Sequence, residues 1–261
     1  MLWRRGKRTK LPAVPPGQRV YSIGDVHGRF DLLCELLERI EHHQSGLPKA
    51  QTFLVFLGDL IDRGPDSSAV VDYLSTFRPR WAIPIFLQGN HEEGFLRSLE
   101  GEEEAMRGWL AFGGTECAQS YGVAPDTQAT LNTALLAQEL NLAVPRSHVE
   151  FLRAFYDSFR VGDYLFVHAG IRPGIPVADQ DPHDLRWIRR DFLDSNLRHE
   201  AIVVHGHSIV EEPTDCENRI AIDTGAYRSG CLTAFYAEGT ERDFLTTAGS
   251  AFDSEVVRAP D

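Results

Sequence analysis

The residues best equipped for chemistry stand behind one short apolar run. Residues 53–57 end at Gly58, and Asp59, Asp62, Arg63 and Asp66 follow. A short aliphatic and aromatic run closed by a glycine predicts a strand buried on both faces, as in an α/β protein. In open α/β sheets, ligands bind beyond the carboxyl ends of the strands. Asp59 is therefore expected at the mouth of a site, with Asp62 and Arg63 on the loop leaving it. A carboxylate there can hold a metal ion. An arginine four residues on can grip a phosphate with two parallel hydrogen bonds.

Four more apolar runs end the same way. Residues 20–23 lead into GDVHG, with Asp25 and His27, and residues 82–87 into GNHE, with Asn90 and His91. Residues 164–167 lead into HAG, with His168, and residues 202–204 into HGHS, with His205 and His207. Five of the ten histidines thus follow buried strands directly. A lone buried histidine is more often a satisfied core residue than a ligand, but five such strand ends are hard to explain structurally. The remaining five, His42, His43, His148, His183 and His199, fall in expected helices or loops and read as surface residues.

The candidate ligands are carboxylates, imidazoles and one amide, without a thiolate. Such a set suits manganese, iron or zinc. There are more ligands than one ion needs, so two ions roughly 3.5–4 Å apart, bridged by one carboxylate, are the economical account. Such a centre acidifies water to hydroxide near neutral pH and clamps the oxygens of an in-line displacement at phosphorus. Arg63 would neutralise charge developing on the phosphoryl oxygens. A histidine near the metals would supply the proton that an alkoxide leaving group needs. The residues alone predict metal-assisted hydrolysis of a phosphate ester.

The elements that position these groups follow from the apolar spacing. Helices are expected over residues 30–40, 67–77, 95–121 and 149–159, with loop and helix over 125–143. The first strand, the helix after it and the strand at 53–57 make a βαβ unit. Residues 220–222 and 231–236 read as paired strands joined by the turn DTGAYRSG. One domain is expected over 19–240, preceded by a flexible basic arm over 1–18 and followed by a polar tail over 241–261. A net charge of −12 argues against a general nucleic-acid binder. No apolar run approaches membrane-spanning length. Four scattered cysteines without CxxC spacing suggest buried or idle thiols in a reducing, cytoplasmic setting.

GDVHG, GDLIDRG, GNHE, HAG and HGHS, in this order and each after a strand, resemble the phosphoprotein phosphatase family of calcineurin-like metallophosphoesterases. The resemblance spans residues 19–240. It implies a four-layer αββα sandwich, two mixed β-sheets flanked by helices, with a dinuclear centre at the strand ends. Asp25 and His27 would then bind the first metal, and Asp59 would bridge both. Asn90, His168 and His207 would bind the second. His91 would be the general acid, oriented by Asp62, and Arg63 would grip the phosphate. A Trp-x-Arg match in DLRWIRRDF makes Arg189 the second phosphate arginine, with Arg186 and Arg190 as alternatives. His205 would be a supporting or structural residue, and Tyr227 would line the site. The family includes phosphoserine, phosphothreonine and dual-specificity protein phosphatases and symmetrical dinucleoside tetraphosphatases. Trp109-Leu110, Gly113-Gly114 and the Glu92 of GNHE resemble the bacterial and bacteriophage-type protein phosphatases, so the expected substrate is a phosphoprotein or phosphopeptide. The alternatives are a symmetrical tetraphosphatase and a non-catalytic metal-binding scaffold.

Overall fold

Runs of apolar residues closed by polar motifs become short strands covered on both faces. The computed structural model describes residues 11–124, 132–247 and 257–258. Among these, the strands are Gln18–Ile23 (β1), Gln51–Phe56 (β2), Ile83–Phe86 (β3), Ser158–Val161 (β4), Tyr164–Val167 (β5), Ile202–His205 (β6), Thr214–Asp215 (β7), Arg219–Ala221 (β8), Thr233–Glu238 (β9), Glu241–Thr246 (β10) and Val257–Arg258 (β11). The α-helices are Phe30–Ser45 (α1), Ser67–Thr76 (α2), Asn90–Leu99 (α3), Glu103–Trp109 (α4), Thr115–Ser120 (α5), Thr133–Ala143 (α6), Arg146–Arg153 (α7), Pro182–Trp187 (α8), Arg190–Leu193 (α9) and Ala226–Ser229 (α10).

The strands form two mixed sheets, of order β11-β10-β9-β1-β2-β3 and β4-β5-β6-β8-β7. In the first, β1, β2 and β3 are parallel, and β9 runs antiparallel to β1. In the second, β5, β6 and β8 are parallel. Three apolar clusters define four layers. Leu33, Leu36 and Ile40 of α1 pack with Tyr21, Leu54 and Phe56 on the outer face of the first sheet. Val20, Val55, Tyr164, Phe166, Val204 and Phe235 fill the space between the sheets. Leu165, Val167 and Val203 meet Leu185 and Phe192 of α8 and α9 on the far side. Each such fully buried side chain contributes about 1.5–3 kcal/mol, which fixes the strand ends that carry the polar motifs. The αββα sandwich is the architecture expected from the sequence.

Several local expectations are corrected. The helix expected over 149–159 ends at Arg153, and β4 begins at Ser158. Phe151, Phe155 and Phe159 keep helical spacing, but a two-residue turn at Gly162-Asp163 folds β4 back on β5. The helix expected over 95–121 is broken twice, at 100–102, where Gly101 adopts φ 84°, and at 110–114, where Gly113 adopts φ 108°. β8 and β9 do not pair: β8 lies in the second sheet and β9 in the first. Alternating apolar residues bury a strand equally well in either sheet. The polar tail does not start at 241, because β10 adds to β9 with Phe244 in the core between the sheets. Of the expected arm, residues 1–10 lie outside the described residues, while Val14 is buried and donates its N–H to Gly239 O. Of the loop and helix expected over 125–143, residues 125–131 also lie outside them, and Thr133–Ala143 is helical. His148 is not at the surface: it is buried, with Tyr121 Oη at 3.0 Å from Nδ1.

Candidate functional site

Six parallel strands, three from each sheet, end at one place. β1 delivers Asp25 and His27, β2 delivers Asp59, Asp62 and Arg63, and β3 delivers Asn90 and His91 at the start of α3. From the second sheet, β5 delivers His168, β6 delivers His205 and His207, and β8 delivers Asp223. Among the described residues, the non-glycine residues with positive φ are His27, Asp59, Asp62, Arg63 and His207. Left-handed backbone costs a residue with a Cβ about 1–2 kcal/mol. That its occurrences fall on predicted site residues shows strain concentrated where the polar groups converge. The turns carrying His27 and Arg63 touch: Gly64 N–H donates to His27 O at 3.1 Å, and a Cβ on Gly64 would lie 2.1 Å from that oxygen.

Three of the imidazoles, those of His27, His91 and His168, share one orientation. His27 Nδ1 lies 2.8 Å from Ile61 O, and His168 Nδ1 lies 2.9 Å from Leu57 O. A carbonyl only accepts, so each Nδ1 carries the proton and each Nε2 faces inward. His91 Nδ1 donates to Asp62 Oδ2 at 2.6 Å. All three Nε2 atoms surround Asp59 Oδ2, at 3.7 Å for His27, 3.8 Å for His91 and 3.3 Å for His168. His168 Nε2 also lies 3.0 Å from Asn90 Oδ1 and 3.2 Å from His207 Nδ1. The amide oxygen, the carboxylate oxygen and the imidazole lone pair are acceptors turned on one another, which repel unless a cation stands between them. His207 Nε2 is buried without a hydrogen-bond partner.

These residues fit metal binding. His27, Asp59 and His91 place ligand atoms within 4.8 Å of one another, and so do Asp59, His168 and His207. Asp59 belongs to both groups. Asp25 belongs to neither: its carboxylate accepts the His207 N–H, with Oδ2 at 3.0 Å. A cation already lies between two of the rings, since Arg63 Nη1 is 2.8 Å from His27 Nε2 and Nη2 is 3.1 Å from His91 Nε2.

The electrostatics follow from burial and crowding. Burial, then Asp223 and Asp59, push Asp25 well above the usual carboxylate range. Burial would raise Asp59 too, but the His168 and His91 imidazoles outweigh it and hold this carboxyl low. Burial and His91 push His27 well down. Burial raises Asp62 despite its hydrogen bonds from His91 and Trp109. For His91 burial acts downward, but Asp59 and Asp62 overcome it and raise the ring. One proton, on His91 Nδ1, lies in the 2.6 Å hydrogen bond between His91 and Asp62.

The predicted phosphate residues are placed differently from one another. Arg63 is anchored by its N–H to Gly113 O at 2.9 Å and lies over the Tyr227 ring at 4.9 Å. Tyr227 also meets His27 edge-on at 5.5 Å, so it lines the centre. Arg189 is exposed, and its charge reaches His207. Arg186 is tied to Asp157 and Glu93, and Arg190 is exposed on α9. His205 is buried behind the site, with Nδ1 3.0 Å from Gly206 O and its ring against Phe192.

Two buried carboxylates were given no place in the site from the sequence. Glu92 accepts three backbone N–H groups, from Asp59 at 2.9 Å, Leu60 at 2.7 Å and Gly89 at 2.9 Å. It pins the loop that carries Asp59, and burial together with Asp59 pushes it up to about 7. Asp223 stands beside Asp25, its Oδ1 accepting the Gly225 N–H at 2.9 Å. The available signals were the fourth residue of GNHE and the acid opening the DTGAYRSG turn.

The comparisons agree with this geometry. The sequence model of the family described as calcineurin-like phosphoesterase matches residues 18–230. The chain is 28% identical over 231 residues to the bis(5'-nucleosyl)-tetraphosphatase PrpE [asymmetrical] of Bacillus subtilis, covering 82% of this chain and 88% of that protein. It is 28% identical over 228 residues to serine/threonine-protein phosphatase 2 of Escherichia coli, covering 84% and 92%. A mutant cold-active protein tyrosine phosphatase superposes with a TM-score of 0.59 over 91% of this chain and 83% of that chain, at 15% identity, and so shares the fold. Among the described residues, no helix is long and apolar enough to cross a membrane. With the family matched across most of the chain and its motifs gathered at one strand-end centre, this protein belongs to the calcineurin-like phosphoesterases and is a hydrolytic enzyme.

Proposed function

We propose that this enzyme is a metal-dependent phosphomonoesterase that removes phosphate from phosphoserine and phosphothreonine, and with dual specificity from phosphotyrosine, in proteins or peptides. The observation that carries this reading is the buried Asp62–His91 pair, with its 2.6 Å hydrogen bond beside Asp59. A serine alkoxide is a strong base and cannot leave without a proton, so a proton held at the centre suits an alkyl ester. In this reading Asp25 and His27 would hold one ion, Asn90, His168 and His207 would hold the other, and Asp59 would serve both. Manganese is the ion we favour, with iron or zinc compatible with the same donors. The ions supply Lewis acidity toward water and the phosphoryl oxygens. Arg63 and Arg189 grip the phosphate, Tyr227 backs Arg63, and His91, as imidazolium with Nδ1–H on Asp62, gives its Nε2 proton to the departing oxygen and is left as the neutral Nδ1–H ring. Four unpaired thiols support a reducing, cytoplasmic setting.

A second reading is dinucleoside tetraphosphate cleavage, favoured by the name of the Bacillus subtilis relative. There the leaving group is a nucleotide, a weak base that needs less protonation. The test compares second-order rate constants of the manganese-loaded enzyme on a phosphoserine peptide, a phosphotyrosine peptide and diadenosine tetraphosphate. We expect the phosphopeptides to be preferred by about 10-fold or more. A preference for the dinucleotide would overturn the first reading, with ADP alone marking symmetrical cleavage and ATP plus AMP asymmetrical cleavage.

Arg63→Ala gives a sharper expectation. The backbone anchor to Gly113 survives, but the guanidinium is lost. Both ions should remain bound, while kcat/KM on a phosphopeptide falls roughly 100-fold. Loss of metal from the variant would mean that Arg63 is structural instead.

A further inference from the structure

We propose that Trp109 is a positioning residue for proton delivery: its indole N–H fixes the Asp62 carboxylate, and so fixes which His91 nitrogen faces the reacting phosphate. This rests on the reading of His91 as the proton donor. Trp109 closes α4, and its Nε1–H donates to Asp62 Oδ1 at 2.9 Å. The other oxygen, Oδ2, accepts His91 Nδ1–H. Indole, carboxylate and imidazole thus form one buried chain.

The direction of the chain follows from its first member. An indole N–H donates and never accepts. Asp62 Oδ1 is occupied by that donor, so the carboxylate offers Oδ2 to His91. His91 must then donate its Nδ1–H to Asp62 and turn Nε2, the nitrogen that brings the second proton to the leaving group, toward Asp59 and Arg63. Without the indole N–H, Oδ1 of the buried Asp62 would lose this partner. A buried carboxylate oxygen does not stay unpartnered cheaply. Asp62 would turn to find another donor and release its hold on His91.

The same segment grips the neighbouring arginine. After Trp109 the helix breaks over 110–114, and Gly113 carries the chain through φ 108°. There its carbonyl accepts the Arg63 N–H, and a Cβ would lie 2.6 Å from Arg63 Cγ. Phe112 O accepts Arg63 Nε–H at 3.4 Å. The segment Trp109-Leu-Ala-Phe-Gly113 therefore holds two consecutive residues, Asp62 from one end and Arg63 from the other. The plainer account is a core tryptophan whose N–H needs some acceptor. It does not require that the acceptor be the carboxylate paired with His91, and it makes a different kinetic prediction.

Trp109→Phe keeps an aromatic ring and removes the N–H. In the manganese-loaded enzyme, kcat on a phosphoserine peptide should fall about 10–100-fold, with KM changed less than about 2-fold. The loss on 4-nitrophenyl phosphate, whose leaving group is a weak base, should stay below about 3-fold. Equal losses on both substrates, or none, would overturn the proposal. His91→Asn is measured alongside. If it lacks leaving-group dependence, the assignment of His91 fails and the role of Trp109 with it. If it shows that dependence and Trp109→Phe does not, only Trp109 is wrongly assigned. Should Trp109→Phe not fold, NMR of the intact protein decides. The Trp109 indole proton should be protected from exchange in the unsubstituted enzyme and shift in Asp62→Asn; an unprotected or unshifted proton would overturn the assignment.

Discussion

Asp59→Asn is expected to empty both metal positions together and to lower phosphate-ester hydrolysis about 1,000-fold or more. One oxygen of this side chain faces three imidazole Nε2 atoms, between 3.3 Å and 3.8 Å away. The other accepts the His91 N–H at 3.1 Å, which Asn can still do through its amide oxygen. The substitution therefore keeps the shape and removes the charge. It also puts an amide nitrogen where two ligand groups share an atom. Loss of several kcal/mol of metal-derived transition-state stabilisation corresponds to the stated factor. His27→Ala should mainly weaken one ion, because His27 belongs to only one of the two groups. Metal analysis after manganese loading checks both, and two ions retained in Asp59→Asn would contradict the bridging role.

His91→Asn is expected to cost about 100–10,000-fold in kcat on a phosphoserine peptide and less than about 10-fold on an aryl phosphate. The imidazole is held on Nδ1 by Asp62, and the two carboxylates around it outweigh burial and raise it above the usual histidine range. With Nδ1 committed to Asp62, it is Nε2 that must bring the proton to an alkoxide. A nitrophenolate leaves without one, so it should hardly register the change. Rate constants on the two substrates, measured on protein shown to retain its metals, give the answer. Equal losses would remove His91 from the role of acid.

The site was more legible in the sequence than the path of the chain around it. Each metal-type residue follows an apolar run, because a parallel strand buried on both faces must be apolar until it leaves the sheet. The strand ends therefore announced themselves. Membership of a sheet did not: β8 and β9 carry similar apolar runs, yet the turn between them crosses from one sheet to the other. β4 was hidden because its phenylalanine continues the helical spacing of Phe151 and Phe155. Glu92 was legible only as the last letter of a motif, since its partners are backbone N–H groups that no side-chain pattern reveals. Nor did residue spacing show the left-handed backbone of His27, Asp59, Asp62, Arg63 and His207. That conformation is imposed by the close approach of the loops, and it aims the side chains inward.

The most direct test of the central claim is a manganese titration of metal-free enzyme, following bound metal and hydrolysis of 4-nitrophenyl phosphate together. Two ions per chain should bind, with hydrolysis absent from the metal-free protein and reaching its full rate as the second ion is taken up. Full activity in the presence of a strong chelator, or two bound ions with no phosphate ester hydrolysed, would contradict the account.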